Sequence, residues 1–170
     1  MEKQNIYQDI SARTGGEIYL GVVGPVRSGK STFIKRFMEL LVLPEIKDEN
    51  ERKRTMDELP QSGTGKMVMT TEPKFIPKEA AELPMEDMKI KIRLIDCVGF
   101  MIPGAGGNLE NGQERLVKTP WFDYEVPFTK AAEFGTRKVI RDHSTIGILV
   151  TADGSFGEIP RDSYVEAEIG

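Results

Sequence analysis

"GPVRSGKST", residues 24–32, stands between two apolar runs, "EIYLGVVG" at 17–24 and "FIKRFMELLVL" at 33–43. Gly24, four intervening residues and then Gly29-Lys30-Ser31 make the complete phosphate-loop pattern. The run before it is short and rich in β-branched residues, which suits a buried parallel strand. In the run after it, Phe33, Ile34, Phe37, Met38 and Leu41 recur at helical spacing, and Pro44 is expected to end the helix. Strand, glycine loop and helix is the context the pattern requires. In it, the backbone N–H groups of Gly24, Pro25, Val26, Arg27, Ser28, Gly29, Lys30, Ser31 and Thr32, Pro25 excepted, can wrap a phosphate chain at the positive end of a helix dipole. Lys30 supplies a point charge for the β- and γ-phosphates. Ser31 offers a hydroxyl to Mg²⁺.

The rest of the chain is read outward from this loop. Residues 5–14 have the pattern of a short helix with Ile6, Tyr7 and Ile10 on one side, stopped by Gly15-Gly16; residues 1–16 read as an N-terminal arm and 17–170 as the nucleotidase domain. "KDENERKRTMDELPQ", 47–61, reads as an exposed helix ending before Pro60. "GTGK" at 63–66 is not a second phosphate loop, because Pro60 falls where its first glycine belongs and Met67 where Ser or Thr is required. Pro73 and Pro77 mark "TTEPKFIP", 70–77, as an edge strand, antiparallel to the strand "KIKIRLID" at 89–96. Residues 97–127 form a long Gly- and Pro-rich connection of the kind that is functional or mobile. Within it Trp121, Phe122 and Tyr124 are expected to anchor the segment. Residues 129–143 read as a helix with Thr129 as N-cap, and "TIGILVTAD", 145–153, as another buried strand. The residues after it start a further helix with no strand behind it, so the domain is expected to continue in a longer protein. The fold class is therefore α/β: a P-loop nucleotidase of GTPase-like type, with a mostly parallel sheet flanked by helices and one antiparallel edge strand.

Chemistry gathers around the loop. "DCVG", 96–99, closes a strand, where Asp96 can hold Mg²⁺ through water and the Gly99 N–H can approach a γ-phosphate. Thr70 and Thr71 lie where switch-type nucleotidases place a threonine that reaches metal and γ-phosphate, and Thr71 is the favoured one. Segments 60–72 and 97–120 would then report nucleotide state. Cys97 reads as a small core thiol and His143 as a lone helix-end histidine; neither has a catalytic pattern.

Composition narrows the partners. The net charge of −4 disfavours broad electrostatic binding to nucleic acid or acidic lipid, so no nucleic-acid partner is expected. One cysteine excludes an intramolecular disulfide and points to a reducing compartment. No apolar run reaches spanning length, and "MEKQNIYQDI" is no signal peptide.

"YLGVVGPVRSGKSTFIKRFMELLVLP", "MTTEPKF", "IRLIDCVGF" and "GTRKVIRDHSTIGILVTADG", with the unusual "DELPQS" and "TPW", resemble the stage IV sporulation protein A family of endospore-forming bacteria over nearly the whole chain. That family is similar in fold to translation-factor-type P-loop GTPases but hydrolyses ATP. The resemblance implies ATP and Mg²⁺ as cofactors and hydrolysis coupled to self-assembly into a polymer, the basement of the spore coat. It further implies a mother-cell cytoplasmic location at the outer forespore membrane, with a small amphipathic membrane-bound peptide and other coat proteins as partners. It makes Lys30 and Ser31 nucleotide ligands, Thr70 or Thr71 the sensing threonine, and Asp96 the metal-side acid.

Two departures from ordinary switch GTPases stand out. Phe100 occupies the place of the glutamine that orients the attacking water. The base-reading motif is not in this stretch, since "TADG" at 151–154 falls one strand early. ATP over GTP thus rests on the resemblance, and a GTPase switch or a nucleotide-binding module without turnover remain the rival readings. Arg27 sits where potassium-activated relatives of this class tend to carry Asn. It is a candidate cis-acting cation for the phosphates, the alternatives being a solvent-facing or subunit-pairing side chain.

Overall fold

The computed structural model describes residues 9, 12–61, 71–85, 88–152 and 162. "EIYLGVV" forms β1 (Glu17–Val23). It pairs in parallel on both sides, with β3 (Met88–Asp96) and with β8 (Ile146–Leu149), so that Leu20 lies between Leu94 and Ile146. β2 (Lys74–Met85) runs antiparallel along the outer side of β3, which gives the sheet order β2-β3-β1-β8. The two prolines did mark an edge strand, and a register shift between Ile76 and Ala81 interrupts its pairing.

Both faces of β1 are covered, as a central parallel strand requires. Leu20 and Val22 point to one face and pack with Ile34, Met38, Val42, Leu43 and Ile46. Val23 points to the other and packs with Ile95, Cys97 and Val139. On that second face the Arg93 guanidinium lies over the Tyr19 and Phe75 rings at 5.3 and 5.4 Å, and the His143 and Phe75 rings form a T-shaped pair with centroids 5.4 Å apart.

The helix after the loop, α1 (Lys30–Phe37), does not simply run on to Pro44. A π-turn, Met38–Val42, follows it, and then a 3₁₀ turn, Leu43–Glu45, that contains Pro44. The wider turn rotates the chain by about one residue. Leu41, expected in the core, is 57% exposed, and Val42 is fully buried in its place. α2 (Glu49–Asp57) ends before Pro60 as expected, and Asp48 caps it by accepting the Glu51 N–H at 2.7 Å.

Segment 97–127 is not a structureless connection. It folds into two hairpins, β4 (Leu109–Glu110) with β5 (Gln113–Glu114), and β6 (Leu116–Thr119) with β7 (Phe122–Pro127). Pairing their short strands satisfies backbone groups that a bare loop would leave to water. The aromatic anchoring holds for Trp121 and Phe122, whose rings lie 5.3 and 5.0 Å from Phe134, whereas Tyr124 is exposed.

α3 (Phe128–Lys138) begins one residue ahead of Thr129, with Pro127 at the N-cap position, so Thr129 is not the cap. Burial of Phe128 beneath the Arg115 guanidinium draws the helix start back. The Thr129 N–H is satisfied instead by Glu114 Oε1 at 3.1 Å, from the neighbouring hairpin. A second π-turn, Val139–His143, leads to β8. The expectation of a buried strand fails there: β8 pairs only with β1 among the described residues, and Ile146 and Leu149 are 38% and 55% exposed. At the N-terminus, Arg13 pairs with Asp9 at 3.0 Å in a helical turn before Gly15. Ile6, Tyr7 and Ile10 of the expected arm helix, and the expected C-terminal helix, lie outside the described residues.

Candidate nucleotide site

β1 and β3 end side by side, with Val22 in register with Asp96, and the two loops that leave them interlock. The Phe100 N–H donates to the Gly24 carbonyl at 3.1 Å, and the Val26 N–H donates to the Phe100 carbonyl at 2.8 Å. This places Gly99, at φ +93°, so close to the phosphate loop that a Cβ there would lie 2.1 Å from the Gly24 carbonyl oxygen and 2.6 Å from Lys30 Nζ. Gly24 is confined in the same way, its Cβ position 2.1 Å from the Val150 carbonyl oxygen. Gly24 of the phosphate-loop motif and Gly99 of the aspartate–glycine motif are therefore required by close backbone approach as well as by turn geometry.

Gly29 is the N-cap of α1 in the left-handed region, with no side chain to cap the helix. The first intrahelical bond is that of the Phe33 N–H to the Gly29 carbonyl at 2.8 Å, so the N–H groups from Lys30 through Thr32 have no intrahelical acceptor, the condition for anion binding at a helix start. Arg27 also takes a left-handed backbone, φ +61°, uncommon for a side chain of this size. Its side chain is exposed, and among the described residues the guanidinium has no hydrogen-bond or ion-pair partner.

Lys30 is buried, and its Nζ donates to the Pro25 carbonyl at 2.6 Å. Burial pushes its pKa below the ordinary lysine range, against the opposing pull of Cys97 and Asp96. Ser31 Oγ donates to Asp96 Oδ2 at 2.7 Å. The other carboxylate oxygen, Oδ1, is buried and has no hydrogen-bond partner among the described residues, and the same holds for the hydroxyl of Ser28. Burial raises the Asp96 pKa, and the Ser31 hydrogen bond and the Lys30 charge only partly offset it. An unpartnered carboxylate oxygen beside a serine hydroxyl is a donor set that fits Mg²⁺, which takes few protein oxygens and completes its shell with water and phosphate. No group of three or more His, Cys, Asp or Glu residues is clustered among the described residues, and a phosphate-loop metal needs none.

Thr71 is buried at the same end of the sheet, three residues before Lys74, the register partner of Asp96. Thr70 lies outside the described residues. Cys97 is the core thiol expected, its Sγ 3.4 Å from the Val22 carbonyl, with burial raising its pKa. Sequence reasoning missed what holds the loop. The Val26 side chain packs against Ile102 and Ala105, and its N–H is taken by Phe100, so Val26 anchors the loop from beneath. The apolar run "FMI" directly after the aspartate–glycine motif was the available signal.

The fold and this site define a mixed α/β domain that carries a phosphate-loop motif at the C-terminal ends of its parallel strands. The chain belongs to the stage IV sporulation protein A family: the family described as stage IV sporulation protein A, ATPase domain, matches residues 1–169. It is 57% identical over 169 residues to stage IV sporulation protein A of Bacillus subtilis (strain 168), an alignment covering 99% of this chain and 34% of that protein. The protein of the same name from Bacillus anthracis is 56% identical over the same shares of both chains. That of Clostridioides difficile (strain 630) is 58% identical over 165 residues, 96% of this chain and 34% of that protein. The chain thus spans about a third of the length of these relatives. No solved structure matches it. No helix among the described residues is long and apolar enough to cross a membrane.

Proposed function

We propose that this domain binds ATP with Mg²⁺ in the phosphate loop and hydrolyses it, and that hydrolysis drives self-assembly of the full-length protein. The observation that carries the reading is the convergence of Lys30, Ser31, Asp96 and Gly99 on one end of the sheet, with buried polar atoms of Asp96 and Ser28 that have no partner among the described residues. Such atoms are costly unless a ligand completes them. In this reading Lys30 leaves the Pro25 carbonyl for the β- and γ-phosphate oxygens, and the first-turn N–H groups of α1 hold the phosphate chain. Ser31 and Asp96 hold the metal, and Thr71, or Thr70, closes on the γ-phosphate. Mg²⁺ held there would supply positive charge to neutralise what develops on the transferring phosphoryl group. Arg27 adds a cation from the open side of the loop.

At the cellular level the reading follows the family. The polymer forms the basement of the spore coat in the mother-cell cytoplasm, against the outer forespore membrane. An amphipathic membrane-bound peptide and other coat proteins are its partners. A second reading, nucleotide binding without turnover, is favoured by one observation. Phe100 has no side-chain group to orient water, and its backbone is committed to the loop. Phosphate release from ATP and from GTP by the full-length protein, followed alongside sedimentation, separates these readings. ATP-dependent release accompanied by sedimentation is expected. Nucleotide binding with no release in a single turnover would support the second reading, and GTP-selective release would support a GTPase switch.

A further inference from the structure

Gly135 is buried in the last turn of α3, and the helical path continues from there into Val139–His143, so it stands where glycine is among the poorest helix formers. A Cβ at this position would lie 2.8 Å from the backbone carbonyl oxygen of Thr71, and 3.0 and 3.5 Å from Cη2 and Cζ3 of the Trp121 ring. The first distance is too short for any side chain, and the atom in the way is main chain. Glycine is thus what lets the Thr71 segment lie flat against α3. The contact is clamped from two sides. Trp121, at the turn between β6 and β7, leans on Phe134 one residue before Gly135. Thr136, one residue after it, directs its Oγ1 to the Ala132 carbonyl at 2.9 Å and to Cys97 Sγ at 3.7 Å, immediately beyond Asp96. One helix therefore touches both the threonine segment and the strand end that carries the metal-side acid.

We infer that Gly135 is a positioning residue for Thr71: its missing side chain sets the depth at which the threonine segment sits, and Trp121 holds it there. The inference rests on the reading of Thr71 as the threonine that closes on the γ-phosphate. Interactions made only in the transition state lower kcat when they are misplaced and leave ground-state binding nearly unchanged. Alanine is the better helix former, so a purely local role for residue 135 would leave Gly135→Ala folded and active.

The test uses the full-length protein and measures ATP affinity, kcat and melting temperature for Gly135→Ala, Trp121→Leu, the double variant and Thr71→Ala. The expected result is a kcat for Gly135→Ala at least tenfold below wild type, with ATP affinity within threefold and cooperative melting retained. The double variant is expected to lose little more kcat than Gly135→Ala alone, because both substitutions act on the same seat of Thr71. Wild-type kcat in Gly135→Ala with an inactive Thr71→Ala overturns the inference and leaves the threonine reading intact. Wild-type kcat in Thr71→Ala overturns both. Parallel loss of affinity, kcat and cooperative melting in Gly135→Ala, with fully additive losses in the double variant, shows packing alone and also overturns it. Should Gly135→Ala fail to fold, Trp121→Leu carries the test: lowered kcat at unchanged affinity supports the inference, and unchanged kcat overturns it.

Discussion

Lys30 and Arg27 are the two cations of the phosphate loop, and the fold treats them in opposite ways. Lys30 is buried against a carbonyl, and burial lowers its pKa, so holding the charged form in the folded domain costs stability at neutral pH. Lys30→Met should therefore abolish ATP binding and yet raise the melting temperature, because the desolvation cost of the buried charge disappears with it. Differential scanning calorimetry beside a nucleotide-binding assay checks both halves, and a lower melting temperature would contradict the argument. Arg27 is exposed, and its left-handed backbone costs roughly 1–2 kcal/mol that glycine would not incur. If its charge acts on the phosphates, Arg27→Ala and Arg27→Gly should lose hydrolysis alike, by about 10², with ATP affinity within a few-fold. The glycine variant should melt above the alanine one. Wild-type turnover in both would refute a cis-acting cation, and normal turnover with lost sedimentation would assign Arg27 to a contact between subunits.

Elements depart from simple periodicity where a turn changes width or another element competes for a terminus. The π-turn Met38–Val42 exchanges Leu41 for Val42 in the core, although the spacing of Phe33, Ile34, Phe37 and Met38 pointed to Leu41. Val42→Ala should cost about 2 kcal/mol, from lost burial plus the space left behind. Leu41→Ala should stay within about 0.5 kcal/mol of wild type, as exposed substitutions do. Urea denaturation of both variants decides the matter, and equal costs would place the turn back in α-helical register. The start of α3 shows the same lesson from outside the element. Phe128 is drawn into the core, and Glu114 from the β4–β5 hairpin satisfies the Thr129 N–H, so the local capping signal loses to a tertiary contact.

Across the whole molecule, burial of the site makes stability depend on pH. Burial raises the Asp96 pKa, so the folded state holds this proton more tightly than the unfolded chain does. The contribution is fully present below the ordinary aspartate range and is lost as pH rises through the raised value. Lys30, with a lowered pKa, gives stability that rises with pH between that lowered value and the ordinary lysine range. Asp96→Asn keeps an acceptor for Ser31 and removes the buried charge. It should be more stable than wild type at about pH 7, lose that advantage towards about pH 4, and lack hydrolysis. Denaturation midpoints across this range measure it, and an advantage independent of pH would exclude the titration of Asp96 as its source. The parallel strands, the phosphate loop and the aspartate–glycine motif were legible in residue order, because each depends on short-range spacing: β-branched runs, glycines at turns, polar groups at strand ends. The edge strand was legible too, since prolines cannot serve the middle of a sheet. The two hairpins inside 97–127, the exposure of β8, the Phe100–Gly24–Val26 strap and the seat of Thr71 on Gly135 were not. Each depends on which distant segment lies opposite, and packing contacts between residues far apart in the chain leave no periodic trace in the local sequence.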